Sequence, residues 1–162
     1  DVIVFKLPRD GRTDYIKRLI GLPGDKIQMR SGQLFINGEA VPRERVEDFL
    51  EEDRYGNISR IPRYRETLPN GKTYLTLDEL RDGPGDNTGV FTVPAGHYFM
   101  MGDNRDNSQD SRYMNAVGFV PVENLVGRAE FIFFSWDSSA PWWQVWRWPF
   151  EVRWSRIFSG IH

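Results

Sequence analysis

A polar run that follows a short apolar strand constrains the fold of this chain more than any other feature. Residues 98–101 are Tyr-Phe-Met-Met, and residues 102–112 read Gly-Asp-Asn-Arg-Asp-Asn-Ser-Gln-Asp-Ser-Arg. Such a run cannot be core, because its polar groups would be buried without partners. Asp, Asn and Ser readily bond nearby backbone, so the run is expected to be a loop that holds itself in shape. A solvated surface turn is the plainer interpretation.

A second segment places one Lys within an apolar strand. Residues 14–20 are Asp-Tyr-Ile-Lys-Arg-Leu-Ile, and Gly-Leu-Pro-Gly-Asp at 21–25 is a strong turn signal. On a strand, Tyr15, Lys17 and Leu19 share one face. Lys17 is then either an edge-strand residue whose amine reaches water, or a Lys kept neutral by apolar surroundings. The second state costs about 1.4 kcal/mol per unit of pKa shift, and it is useful where a base is needed.

The rest of the chain reads as short strands separated by turns, which predicts an all-β fold of mostly antiparallel sheets. Strands are predicted at residues 2–7, 15–20, 26–29, 33–36, 39–41, 98–101 and 129–136. Asn37-Gly38 predicts a two-residue hairpin turn. Residues 43–54 are charge-rich and predict a helical turn or a solvated loop, and residues 55–93 contain only weak strands. We therefore expect a β core of residues 1–42 and 94–162, with a β-rich appendage inserted at 43–93.

Composition argues against several kinds of function. The net charge is −2 and no basic run carries interleaved stacking residues, so we expect no nucleic-acid partner. The chain has no Cys, hence no disulfide framework and no thiolate chemistry. No apolar run approaches the roughly 18 residues of a membrane-spanning helix. The only two His, His97 and His162, are far apart, and the loop starting at Asp106 lacks the Gly and Glu of an EF-hand, so no metal site is predicted.

Together, the two segments resemble the bacterial type I signal peptidase family, the Ser-Lys proteases that remove secretory signal peptides. Residues 15–18 followed by 21–25 are similar to the family's general-base box, and residues 102–108 with 110–112 to its second signature box. The opening Asp-Val-Ile-Val-Phe at residues 1–5 is similar to the end of a third. These boxes span most of residues 1–128 in the family's order.

The resemblance implies a Ser-Lys peptidase β core and suggests roles for individual residues. Lys17 matches the general base, and Ser108 matches the position whose hydroxyl orients the Lys amine. Residues that match positions tying the loop to the Lys strand are Arg18, Asp103, Asp110 and Arg112, expected to pair as Asp103 with Arg18 and Asp110 with Arg112. The extended substrate is expected to add as a further strand along Asp14, Tyr15 and Ile16. No metal or cofactor is needed.

The family's nucleophile, a Ser in a Ser-Met-x-Pro motif, does not occur in these residues. None of the nine Ser residues of the chain is followed by Met. We therefore expect the nucleophile and the membrane anchor to lie upstream of Asp1, and we expect the 162 residues to be inactive by themselves.

Aromatic residues are concentrated near the end of the chain. All six Trp fall between residues 136 and 154, namely Trp136, Trp142, Trp143, Trp146, Trp148 and Trp154. Packing in an aromatic core explains some of them. Residues 141–149 hold too many large rings between two prolines for one small core, so Trp142, Trp143, Trp146 and Trp148 are predicted to contact a membrane surface.

The resemblance implies the extracytoplasmic domain of a membrane-bound serine endopeptidase on the periplasmic face of the bacterial inner membrane. Its partners would be the signal peptides of secreted preproteins and the lipid surface. One alternative is a Ser-Lys enzyme with another substrate, such as a self-cleaving repressor. The other is a catalytically inactive paralogue or binding module of the same fold.

Overall fold

A computed structural model describes residues 1–129, and these residues form short strands with one 3₁₀ turn at Val122–Asn124. The strands are β1 Val2–Lys6, β2 Asp14–Gly21, β3 Lys26–Arg30, β4 Gln33–Ile36, β5 Glu39–Ala40, β6 Arg43–Arg45, β7 Phe49–Glu52, β8 Ile58–Ile61, β9 Arg63–Thr67, β10 Thr73–Leu77, β11 Phe91–Thr92, β12 His97–Met101, β13 Val120–Pro121 and β14 Leu125–Arg128. The predicted all-β class is confirmed.

The central sheet has five antiparallel strands in the order β13-β12-β2-β1-β14. Strand β2, which carries the Lys, therefore lies between β1 and β12. β1 and β2 form a hairpin whose turn is held by the Asp10 carboxylate, which accepts hydrogen bonds from the backbone N–H groups of Arg12 and Thr13. Gly11 adopts φ +65° there, a left-handed conformation that glycine adopts without strain.

A second sheet, in the order β11-β3-β4-β5, covers one face of the central sheet. β4 and β5 are joined at Asn37 (φ +53°) and Gly38 (φ +82°), the left-handed pair that a type I′ hairpin turn requires. The predicted hairpin is therefore present.

Alternation along each strand divides the apolar residues between two clusters on opposite faces of the central sheet. One cluster lies between the two sheets and includes Ile20, Phe99 and Met101 together with residues of β3 and β4. The other includes Ile3, Phe5, Leu7, Met100, Val117 and Val120. Lys17 pairs with Ile3 across β1 and β2, so its side chain belongs to the second face.

The range 43–93 contains three antiparallel strands in the order β10-β9-β6 and a separate pair, β7 with β8. Its first residues, expected to be a helical turn or a loop, are instead strands β6 and β7, because their alternating side chains pair with β9 and β8. Leu68 and Tyr74 of this range contribute to the cluster between the two sheets, and β11 pairs with β3. The division into core and appendage stays a prediction.

The predicted strand at 129–136 and the Trp-rich segment lie outside the described residues, apart from Ala129. Strand β14, which pairs with β1, ends just before Ala129 and was not predicted. Within residues 1–129, no helix has the length and apolar character needed to cross a membrane.

Candidate active site

Lys17 lies in the middle of β2 with its side chain 8% exposed. Tyr15 and Leu19 flank it on the same face, as the period of two predicts, and both pack against the second apolar cluster. The ammonium nitrogen lies 5.8 Å from the centre of the Tyr15 ring. Lys17 is therefore a buried amine with apolar neighbours on its strand face, not a surface residue reaching water.

The Lys17 amine meets the polar loop at Ser108. Lys17 Nζ donates a hydrogen bond of 2.8 Å to Ser108 Oγ, between residues 91 positions apart in the chain. Ser108 is buried as well. The two residues predicted to be catalytic are thus brought into direct contact by the fold.

Burial lowers the pKa of Lys17 below its ordinary value, because a charged ammonium loses solvation there. Asp110 raises this pKa, Arg112 lowers it further and Asp103 raises it, in decreasing order of effect. The loop therefore supplies charges of both signs near the amine. The net effect is a pKa below the ordinary value, and a lower pKa makes the neutral amine, the form able to accept a proton, more accessible.

Gly102 is the first residue after β12 and lies against the Lys17–Ser108 contact. A Cβ atom at this position would collide with Oγ and Cβ of Ser108 and would lie 3.5 Å from Lys17 Nζ. Only glycine leaves room for the Ser108 side chain at its present position. Gly102 belongs to the second box, but its steric role could not be predicted from the sequence, because the contact exists only after the loop has folded.

Arg18 and Asp103 tie the Lys strand to the loop. Nε and Nη2 of Arg18 donate hydrogen bonds of 2.8 and 2.7 Å to the two Asp103 oxygens. The guanidinium also lies 4.2 Å from the centre of the Tyr74 ring. Arg18 follows Lys17 and Asp103 follows Gly102, so this partly buried pair fixes the two sides of the site relative to each other. The predicted pairing is confirmed.

The second predicted pair, Asp110 with Arg112, is also present and is buried. Nε and Nη2 of Arg112 each donate a 2.9 Å hydrogen bond to Asp110. Asp110 additionally accepts hydrogen bonds from the backbone N–H groups of Gly102, at 2.9 Å, and of Arg112, at 3.1 Å. This carboxylate therefore holds both ends of the loop that presents Ser108.

Arg105 completes the loop and was missed by the sequence analysis. It is buried and donates hydrogen bonds of 3.0 and 2.6 Å to the two oxygens of Glu66 on β9. Glu66 also accepts a hydrogen bond of 2.8 Å from the Tyr74 hydroxyl, and burial followed by the nearby Glu66 charge raises the pKa of Tyr74. The family resemblance suggested no role for Arg105, and no local pattern relates it to Glu66, which lies 39 residues earlier in the chain.

Ser111 was likewise not assigned a role. Its hydroxyl accepts a hydrogen bond from the backbone N–H of Met100, and its own N–H donates to the Met100 carbonyl. The loop thus returns alongside the strand it left. The only feature of the sequence that pointed to Ser111 was its position in the second signature box.

Asp14, Tyr15 and Ile16 lie at a part of β2 that is paired on one side. β1 pairs with these residues, whereas β12 reaches only Gly21, Leu19 and Arg18. The Leu19 N–H donates to the Asp1 carbonyl, and backbone groups alternate along a strand, so those of Asp14 and Ile16 point away from β1. Within residues 1–129, no strand pairs with that edge at these residues.

The side chains that could ligate a metal ion form a separate group near the loop. Within residues 1–129, carboxylate oxygens of Asp78, Asp86 and Asp106 lie within 4.8 Å of one another. The residues predicted to contact a membrane, Trp142, Trp143, Trp146 and Trp148, lie outside the described part of the chain.

Comparisons with known proteins identify the family. The family described as signal peptidase, peptidase S26, matches residues 1–136. The signal peptidase I of Rickettsia typhi is 41% identical over 179 aligned positions, covering 100% of this chain and 65% of that protein. The signal peptidase I of Rickettsia prowazekii is 40% identical with the same coverage.

A solved structure of a signal peptidase I from Enterococcus faecalis covers 80% of this chain and 93% of its own chain, at 31% identity and a TM-score of 0.46. This chain spans about 65% of the length of the curated relatives named above. The resemblance predicted from the two boxes is confirmed by the family match over residues 1–136, and the chain belongs to the signal peptidase family, peptidase S26.

Proposed function

We propose that this chain is the catalytic β domain of a serine endopeptidase that cleaves signal peptides from secreted preproteins, with Lys17 as its general base. One observation carries the proposal. The Lys17 amine is buried, its pKa is lowered by burial, and it lies 2.8 Å from Ser108 Oγ. The loop that carries Ser108 is held in place by the ion pairs of Arg18 with Asp103 and of Arg112 with Asp110. A fold bears the cost of burying a Lys where a neutral amine is useful.

The reaction is acyl transfer. Neutral Lys17 removes the proton from a Ser hydroxyl as its oxygen forms a bond to the scissile carbonyl carbon. The resulting ammonium gives that proton to the amide nitrogen as the C–N bond breaks. Water then hydrolyses the acyl-enzyme with Lys17 again accepting a proton. The attacking Ser is supplied from outside these 162 residues, since none of their nine Ser residues is followed by Met.

Ser108 orients the amine in this proposal. Its Oγ lies against the backbone of Gly102, where not even a Cβ atom has room, so a substrate carbonyl cannot approach from that side. Its hydroxyl accepts the hydrogen bond from Lys17 and thereby directs the amine. Asp103, Asp110, Arg18 and Arg112 hold this arrangement without contacting substrate.

The substrate adds to the sheet as a strand. The backbone groups of Asp14 and Ile16 point to the side of β2 that β12 does not reach, which suits β-augmentation. An extended peptide there runs past the Lys17 amine, one residue further along β2. Tyr15 has its backbone groups toward β1 and contributes its side chain to the face that Lys17 occupies.

The location of the enzyme is also part of the proposal. Signal peptides emerge at a membrane, and the cluster Trp142, Trp143, Trp146 and Trp148 suits the boundary between lipid and water. We place the domain on the periplasmic face of the bacterial inner membrane. Co-sedimentation of the folded chain with anionic vesicles, together with a blue shift of Trp fluorescence, supports this. A folded chain that neither sediments nor shifts contradicts it.

The deciding experiment compares the 162 residues with the natural full-length protein in a signal-peptide cleavage assay. The full-length protein should cleave at the end of the signal peptide, whereas the 162 residues should not. If the 162 residues cleave the substrate and changing one of their own Ser residues abolishes cleavage, the nucleophile lies within them and the proposal has misplaced it. Absence of turnover by the full-length protein would favour the second candidate, an inactive paralogue, which the missing Ser-Met-x-Pro motif also permits.

A further inference from the structure

Three carboxylates from separate segments converge beside the polar loop. Asp78 follows β10 directly, Asp86 lies eight residues later in the loop that leads to β11, and Asp106 belongs to the polar loop, two residues before Ser108. We propose that Asp78, Asp86 and Asp106 bind one divalent cation of the hard, oxygen-preferring kind, with calcium as the expected ion. This proposal is independent of the proteolytic function proposed above.

Each of the three carboxylates has one oxygen that accepts hydrogen bonds from the protein and one that does not. The Oδ2 atoms accept hydrogen bonds from Arg43 Nη2 for Asp78, from the Gly83 N–H for Asp86, and from the Glu79 and Leu80 N–H groups for Asp106, at 2.6–2.7 Å. The Oδ1 atoms of all three are buried and accept no hydrogen bond from the described residues. Donors thus fix each carboxylate and leave one of its oxygens for another ligand.

Burial makes this arrangement costly without a ligand. Asp86 is only 1% exposed, so its Oδ1 lies away from bulk water. A buried acceptor left without a partner costs about 1–3 kcal/mol, and more when it is charged. Three such oxygens are found in one group of side chains, and a single cation satisfies all three at once.

The spacing fits one ion. One carboxylate oxygen from each of the three residues lies within 4.8 Å of the other two. Two oxygens bound to the same calcium at 2.3–2.6 Å are separated by at most about 5 Å, so the three carboxylates are close enough to share one ion. Calcium tolerates irregular coordination by oxygen, whereas magnesium demands near-ideal octahedral geometry, so calcium is the expected ion.

The local charge also matches a divalent cation. Three carboxylates carry −3, and the ion pair between Asp78 and Arg43 brings the group to −2. The other cations that influence the group are Arg105 and Arg112, each of which is already paired, with Glu66 and Asp110 respectively.

A cation here would add a further link between the loop after β10 and the polar loop of residues 102–112. Asp106 Oδ2 already binds the backbone of residues 79 and 80, and the Leu77 backbone exchanges hydrogen bonds with Asp103 and Arg105. A shared ion would add Asp86 and stiffen the loop that presents Ser108. The expected role is therefore structural support of the loop, not participation in the reaction.

The experiment starts with the 162-residue chain freed of metal by a chelator. Calcium is then titrated, and the melting temperature and the heat of binding are recorded, with magnesium in parallel. Calcium should raise the melting temperature, on the order of 5 °C at saturation. Bound terbium should show luminescence sensitised by nearby aromatic residues and displaced by calcium, a readout that needs only the unmodified chain.

Variants locate the site. Asp86→Asn and Asp106→Asn should each weaken calcium binding at least tenfold. Asp82→Asn makes the same change at an exposed position of the same loop and should bind as the unmodified chain does. A folded, metal-free chain that binds neither calcium nor magnesium overturns the proposal, as does unchanged binding in both cluster variants. A chain that is stabilised by acid but by no cation also overturns it, since protons then occupy the carboxylates.

Discussion

Two groups of carboxylates lie close together in this protein and differ in whether Arg side chains pair with them. Around Lys17, the carboxylates Asp103, Asp110 and Glu66 are each held by an Arg through two hydrogen bonds. A few residues away, Asp78, Asp86 and Asp106 share a single paired Arg and leave three buried oxygens without a hydrogen bond from the described residues.

The difference shows what each region requires from outside. The carboxylates of the first region are all paired with Arg residues of the protein itself, so the geometry of the loop of residues 102–112 is fixed without an outside ligand. The group of Asp78, Asp86 and Asp106 is held in place but short of positive charge, which is the condition of a binding site. Removing one partner should therefore damage the first region and can even relieve the second.

The largest expected effect concerns Lys17, the proposed general base beside the first region. In the full-length protein, Lys17→Ala and Lys17→Arg should each lower kcat by about 10²–10⁴-fold, because Arg keeps its proton at any usable pH. Wild-type kcat should fall as acid protonates the amine, through a pKa lying below the ordinary 10.5 of Lys. Steady-state cleavage across pH measures both. Near wild-type turnover by Lys17→Arg would exclude the general-base role.

The next effect tests the contrast directly. Asp110→Ala leaves Arg112 buried without its carboxylate and frees the Gly102 N–H, so the free energy of unfolding should fall by about 3–5 kcal/mol. In metal-free protein, Asp86→Asn should cost less or stabilise, because it removes a charge from a group already short of cations. Urea unfolding of the two variants checks this. Equal losses would show that the two regions do not differ as described.

A smaller effect is expected at Gly102. In the full-length protein, Gly102→Ala should push Ser108 away from the Lys17 amine and lower kcat about 10–100-fold, within the range for a lost orienting group. Ser108→Ala should act in the same direction, and the double variant should cost little more than either alone, because both changes remove one contact. If the two losses in kcat were additive, Gly102 and Ser108 would act independently and not through one shared contact.

The matched control for the glycine is Gly96→Ala, which lies in the turn before β12 with nothing within 4 Å of its Cβ position. Its φ of +71° makes it strained, so it should lower stability slightly while leaving kcat unchanged. If Gly96→Ala lowered kcat as much as Gly102→Ala does, the loss at Gly102 would reflect destabilisation of β12 and not displacement of Ser108.

The smallest effect is a gain in stability. Because the pKa of Lys17 is lowered in the folded state, the folded protein binds its proton less well than the unfolded chain does. The penalty is fully present below the folded pKa and disappears as pH rises to the unfolded value of 10.5. Lys17→Met should therefore stabilise by about 1 kcal/mol at neutral pH and not at all above pH 10.5. Thermal melts of both proteins across pH measure this difference in stability. A stability gain of Lys17→Met that grows with pH would contradict the predicted direction of the Lys17 pKa shift.

Sequence patterns predicted most of the central strands because side-chain alternation and turn residues are local properties. They failed at residues 43–54, where high charge suggested a helical turn or a loop, although alternating side chains pair with β8 and β9. They also missed β14, whose Gly127 gives no strong strand signal and which forms because β1 offers an unpaired edge. Pairing with a distant strand decided both outcomes.

The sequence alone determined the position of Lys17 on an apolar strand face, the self-bonding character of the loop after β12, and the family, because each follows from residues close together in the chain. Only the tertiary structure decided that Arg105 pairs with Glu66, that Gly102 must have no side chain, and that three Asp residues converge beside the loop. These features join residues distant in sequence, and their energies arise from burial and close contact, which exist only after the sheets have packed.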